Sequence, residues 1–175
     1  RANLRQALEC FAQSGDGKAL AMMAGSLYWF WDIRGPLAEG RQWLERALAL
    51  PTETVPDDIR FRVLLAAGQL AHFQGDDEQA QAWSAELYGT MPNSADPWMR
   101  AMPLMLLGLI AEDRGDYAIA ENRFTAALPL FREAGDEFNA ALAIHHLGVT
   151  AWGQGDSHRA TSLCTSALEE QQRLN

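Results

Sequence analysis

Apolar residues recur along this chain at steps of three and four, as in Leu104, Leu107, Ala111 and in Leu147, Ala151. That spacing gathers them on one side of an α-helix. Ala, Leu, Glu, Gln and Arg dominate these stretches, and β-branched residues never form a run. The pattern predicts helices over 2–13, 17–33, 37–49, 57–73, 77–89, 97–113, 117–132, 137–153 and 157–172. No segment alternates with a period of two, so no sheet is expected. Pro103 and Pro129 fall inside two of these helices, where each removes a backbone hydrogen bond and is expected to kink or fray the helix. The stretch Pro51 to Asp58, with two prolines, is the most loop-like.

The breaks between helices carry a period. Gly35, Gly75, Gly115 and Gly155 are each 40 residues apart (75 − 35, 115 − 75, 155 − 115). Gly-Asp recurs at 75–76, 115–116 and 155–156, and again half a period away at 15–16 and 135–136. Glycine takes the left-handed conformation that closes a helix without a Cβ penalty. The aspartate that follows can accept from the free N–H groups of the next helix and complements its dipole. Asp76 with Gln79 has capping-box spacing, with aspartate in place of serine or threonine. Pro36 and the Asp96-Pro97 pair start helices in another way.

Registering the chain on the turn glycine aligns further positions. Seven residues upstream stand Tyr28, Gly68, Gly108 and Gly148; five downstream, Gly40, Ala80, Ala120 and Ala160; twelve downstream, Ala47, Leu87, Ala127 and Ala167. Small residues there allow close helix approach. The set Leu107, Gly108, Ala111, Gly115, Tyr117, Ala120, Phe124 and Ala127 resembles the tetratricopeptide repeat, and Leu147, Gly148, Ala151, Gly155, Ala160 and Ala167 follow it. The first two units are degenerate, and the 40-residue unit exceeds the family's usual length. The resemblance implies an all-α, right-handed α-solenoid of antiparallel helix hairpins. It would form one domain over 1–175, with units 17–50, 57–90, 97–133 and 137–172 after an N-terminal helix 2–13.

A second resemblance covers the first fifty residues. Asn3-Leu4-Arg5-Gln6-Ala7-Leu8-Glu9 leads through Ser14-Gly15-Asp16, Leu27-Tyr28-Trp29-Phe30-Trp31 and Arg34-Gly35 to Leu37-Ala38-Glu39-Gly40-Arg41-Gln42-Trp43-Leu44-Glu45-Arg46-Ala47-Leu48. This run is similar to the start of the helical repeat region in large bacterial signal-transduction ATPases that act as LuxR-type transcriptional regulators. The resemblance implies a sensor and oligomerisation arm. It also implies an upstream nucleotide-binding module and a DNA-binding domain elsewhere, neither of which has a motif here. The absence of an initiator methionine, with the chain starting mid-helix at Arg1, is expected of a fragment.

An apolar content of 48% argues against disorder. No apolar run has the length of a membrane span, and no signal peptide opens the chain. Cys10 and Cys164 lie far apart in the expected solenoid, so both are read as reduced, buried thiols of a cytoplasmic protein. A net charge of −9, with Lys18 the only lysine, leaves no basic face for direct nucleic-acid binding. The acidic clusters at the turns have two readings, dipole complement with solubility or a rim for a basic partner.

Catalytic signals are weak. His145 and His146 point about 100° apart on a helix and cannot clamp one metal ion from it; one is expected packed and the other exposed. Gly15-Asp16-Gly17-Lys18 lacks the strand and upstream glycine of a phosphate loop. No enzyme activity, metal or cofactor is expected. The run Tyr28-Trp29-Phe30-Trp31 has two readings as well. Its helix is sandwiched by 2–13 and 37–49 with Trp43, or one or two of its rings line a groove.

In proteins with the tetratricopeptide pattern the first helix of each unit lines a concave surface. Carried onto this register, that surface comprises Trp29, Asp32, Arg62, Gln69, His72, Phe73, Met105, Glu112, Asp113, His145 and Trp152. The implied occupant is a protein or peptide, with a small inducer next. The alternative is an adaptor or scaffold that forms homodimers through its terminal helices.

Overall fold

The computed structural model describes residues 2–92 and 95–174. Arg1, where the sequence reading places a mid-helix start, lies outside them. Among the described residues there are ten α-helices and no strand. The chain divides into two compact units, Arg1–Trp83 and Ser84–Asn175, with the boundary inside one helix, α6 (Asp77–Thr90).

The first unit holds α1 (Ala2–Ser14), α2 (Gly17–Ser26), α3 (Tyr28–Ile33), α4 (Leu37–Leu48) and α5 (Asp57–Phe73). Both α2 and α4 pack on α5, α1 packs on α2, and α3 packs on α4. The expected helix 17–33 is broken at Leu27, whose N–H is shared between the carbonyls of Met23 (3.1 Å) and Ala24 (3.3 Å). Gly25 weakens the helix there, and the Ser26 hydroxyl donates to the Met22 carbonyl (2.8 Å), a back-bond that bends helices. Between α4 and α5 the chain makes a short 3-10 turn, Thr52–Thr54, and buries Val55.

The bend divides the aromatic run. Trp31 is buried beside Trp43 and Leu44, Tyr28 and Phe30 are half-buried, and Trp29 is exposed. Trp31 fits because Gly40 faces it from α4, where a Cβ would overlap its indole.

The second unit holds α7 (Pro97–Asp113), α8 (Tyr117–Glu133), α9 (Glu137–Gly153) and α10 (Ser157–Arg173), each packed on the next. Its core is built on Phe124 and Phe131, both fully buried, together with Ala101, Ala120, Ala127 and Ala140. A Cβ on Gly108 would lie 2.5 Å from Phe124, and one on Gly148 would lie 2.6 Å from Cys164 Sγ. The small residues at the registered positions are therefore the seats of large neighbours. Both α7 and α8 run unbroken past Pro103 and Pro129, so neither proline frays its helix.

The Gly-Asp turns work as their chemistry dictates. Gly15, Gly75, Gly115, Gly135 and Gly155 have φ between 71° and 87°. At Gly115 the glycine N–H bonds the Glu112 carbonyl (2.9 Å) and the Asp116 N–H bonds that of Ala111 (2.8 Å). These are the two bonds of a Schellman closure. The aspartate carboxylate then reaches forward: Asp16 to Ala19 N (3.0 Å), Asp76 to Gln79 N (3.2 Å), Asp136 to Asn139 N (3.0 Å) and Asp156 to Arg159 N (3.0 Å). Asp116 differs, because the Ile119 N–H takes its backbone carbonyl instead (2.9 Å). Gly35 belongs to the period but is not left-handed. It is needed because a Cβ there would lie 2.8 Å from the Trp31 backbone.

Both thiols are free, but neither is buried: Cys10 is exposed and Cys164 half-buried. The one buried residue of α1 is Leu8, two positions away and so on another side of the helix.

Candidate functional site

In the first unit, small residues set the spacing between α2 and α5. A Cβ on Gly17 would lie 3.0 Å from Thr54 Cγ2 and 3.1 Å from Leu50 Cδ1, and one on Gly25 would lie 3.4 Å from Arg62 Cβ and Val63 Cγ2. One stripe of α2 and α3, Lys18, Met22, Ser26, Trp29 and Ile33, follows steps of four, four, three and four and is exposed throughout. Across from it α5 presents Asp58 and Arg62, one turn apart. Together Lys18, Ala21, Met22, Ser26, Pro56, Asp58, Ile59 and Arg62 line a cleft of about 560 Å³.

Farther along α5, Gln69 is half-buried and Phe73 is 52% exposed. The His72 ring lies 5.9 Å from that of Phe73, and its Nδ1 is 3.3 Å from Asp77. Asp32 is half-buried. Its charge, after burial, helps push the Tyr28 phenol above its ordinary range. Arg41 anchors the start of α6 by pairing with Asp76 (2.6 Å) and Glu45 (2.8 Å), and its guanidinium lies over Trp83.

The second unit treats the same register differently. Met105 is only 4% exposed and belongs to the core with Leu104 and Leu147, so it lines no open surface. Its helix face is covered where α9 packs across α7 and α8, which the pattern of α7 alone does not show. Glu112 is also turned inward. One carboxylate oxygen lies 3.1 Å from His146 Nδ1, and the other accepts from the Thr150 hydroxyl at 3.3 Å. His146 is stacked on Phe124 at 5.2 Å between centroids. Asp113 and His145 are exposed. The expectation of one packed and one exposed histidine is met, with Glu112 as the unforeseen partner.

The outer face of α9 and α10 gathers Gly148, Val149, Trp152, Ala160, Cys164 and Leu168 in a shallow apolar depression. Trp152 is 69% exposed there. Among the described residues no three His, Cys, Asp or Glu side chains are grouped as a metal ion would need. No described helix is long and apolar enough to cross a membrane.

Of the residues in the sequence register, Trp29, Arg62, Phe73, Asp113, His145 and Trp152 are exposed, whereas Met105 and Glu112 turn inward. The register passed over Lys18, Met22, Ser26 and Asp58. The four-residue step from Lys18 to Ser26 was the available signal, hidden because the turn-based register begins farther along the helix.

No protein-family model and no curated protein matches the chain. Among solved structures, its fold is similar to that in the crystal structure of BtubC (BKLC) from P. vanneervenii, with a TM-score of 0.72 at 16% identity. The likeness covers 89% of this chain and 64% of that one, so this chain spans less than two thirds of that protein's length. At this identity the likeness bears on fold alone: an all-helical, repeat-like architecture.

Proposed function

We propose that the chain is a non-catalytic binding module, a right-handed solenoid of tetratricopeptide-like antiparallel helix pairs. Its helix stripes would receive a protein or peptide, or a small inducer. The supporting observation is the set of large rings left in water on these stripes: Trp29 at 67%, Phe73 at 52% and Trp152 at 69% exposure. Aromatic side chains of this size are the usual anchors of recognition surfaces. The polar neighbours Arg62, Gln69, Asp113 and His145 would supply orientation. The similarity of residues 3–48 to bacterial ATPase regulators supports a place as a sensor arm, where occupancy shifts contacts with other domains.

Affinity capture from the source cell's lysate tests the groove. Wild-type chain is compared with Trp29→Ala, Phe73→Ala and Trp152→Ala combined, alongside thermal unfolding of both. Loss of the captured species at unchanged melting temperature is expected; equal capture would sink the groove. A phosphate-binding loop encoded upstream is the finding expected of the regulator reading.

The α9–α10 face favours a second reading, a scaffold that pairs with its own copy through Trp152, Cys164 and Leu168. Sedimentation of the wild type and of Trp152→Glu separates the two. A dimer abolished by the charge supports the scaffold, and a monomer at all concentrations removes it.

A further inference from the structure

We infer that the cleft between α2 and the first turns of α5 is a site for an acidic peptide segment. This deepens the groove reading and rests on it. The argument starts from how cations are used in a chain of net charge −9. Arg5, Arg41, Arg132 and Arg159 are held by carboxylates, while Arg46 and Arg123 lie over aromatic rings. Among the described residues the side chains of Lys18, Arg62 and Arg100 have no ion-pair, hydrogen-bond or ring partner, and the first two line this one cleft. Both are exposed. In a chain rich in carboxylates, two uncommitted cations against one carboxylate leave the lining of this cavity of about 560 Å³ net positive.

The remaining lining defines the ligand further. Pro56, Ile59, Ala21 and the adaptable Met22, itself 54% exposed, form an apolar floor. Asp58 contributes the one carboxylate of the lining. It does not pair with Arg62, although it stands four residues before it on α5. A bare phosphate or a nucleic-acid backbone would use the cations and leave the apolar floor empty. A peptide uses all three features. An Asp or Glu side chain bridges Lys18 and Arg62, the next apolar residue packs on Met22 and Ile59, and a backbone N–H donates to Asp58. The cleft therefore reads acidic and apolar residues in succession.

The test is fluorescence anisotropy of the full chain with a short fluorescein-labelled peptide alternating glutamate and leucine, against its glutamine–leucine counterpart. The glutamate peptide is expected to bind roughly tenfold or more tightly, with the difference shrinking as salt rises. Lys18→Glu with Arg62→Glu is expected to remove that preference. Arg100→Glu, at a cation of the second unit, keeps it, and circular dichroism melting stays unchanged throughout. Equal binding of the two peptides, no binding of either, or a preference that survives the double reversal would overturn the proposal. If the acidic preference fails while the aromatic variants still abolish capture, the groove stands without this ligand class. If capture is also unaffected, the groove itself is lost.

Discussion

The two units build the same turn-to-turn register with different materials. In Ser84–Asn175 the four helices α7 to α10 each run 17 residues, and Gly-Asp closes and reopens them at 115, 135 and 155. In Arg1–Trp83 the helices run 13, 10, 6, 12 and 17 residues, and prolines start both α4 and α5. The internal packing is inverted too. In the second unit glycines of α7 and α9 seat Phe124 and Cys164 of the following helices. In the first unit Trp31 stands on the earlier helix and Gly40 on the later one. This inversion explains why Tyr28 breaks the glycine register while Gly40 breaks the alanine one. What the repeat keeps is one small residue against one large one, and either helix can carry either partner.

That comparison can be broken at its seats. Phe124→Ala and Trp31→Ala are expected to cost about 3–5 kcal/mol each in urea unfolding, since both fill buried space that a glycine leaves open. Gly108→Ala is expected to cost about 1–3 kcal/mol alone and much less beside Phe124→Leu. Strict additivity of the two would show that Gly108 is not a seat.

A smaller contrast separates register from exposure. Met105→Ala should destabilise by about 2–5 kcal/mol, whereas Trp152→Ala should stay within about 0.5 kcal/mol. Similar values in thermal melts would contradict the burial of one and the exposure of the other.

Turn chemistry sharpens the picture next. Asp136 caps Asn139 N and also accepts from Trp98 Nε1 at 2.9 Å. Asp136→Ala is expected to cost about 0.5–2 kcal/mol, and Asp116→Ala, with no side-chain cap to lose, less than about 0.5 kcal/mol. Equal losses would mean that the forward reach of the carboxylate is not what stabilises these helices.

The smallest effect is electrostatic and differs between the units in its partners. Hydrogen bonds from the Arg41 side chain, then the Gln79 backbone, hold the Asp76 carboxyl below its usual range. Those from Gln154, then Arg159, do the same for Glu121. Because the folded carboxylates are depressed, their stabilisation is present above the unfolded values near about 4. It is lost as pH falls through the folded ones. Arg41→Gln and Gln154→Ala should each flatten the acid limb of the melting temperature against pH. An unchanged limb in both would assign acid sensitivity elsewhere.

Much of the fold was legible because helix boundaries here are local events. Glycine at positive φ, aspartate carboxylates and proline act within a few residues, so the helix limits follow from them, apart from the break at Leu27. The candidate site was legible only in part. Residues at equivalent places 40 apart, Met105 with His145 and Glu112 with Trp152, share one expectation, yet two turn inward and two face water.

The sequence by itself determined where helices start and stop, which positions must be small, and how the charges are distributed. Backbone conformation and capping are settled by neighbours in the chain. Tertiary structure alone decided which face of each helix stays open, which cations find partners, and that Glu112 meets His146 across 34 residues. Burial belongs to the helix that arrives from elsewhere, and a helix's own pattern cannot record where that neighbour leaves off.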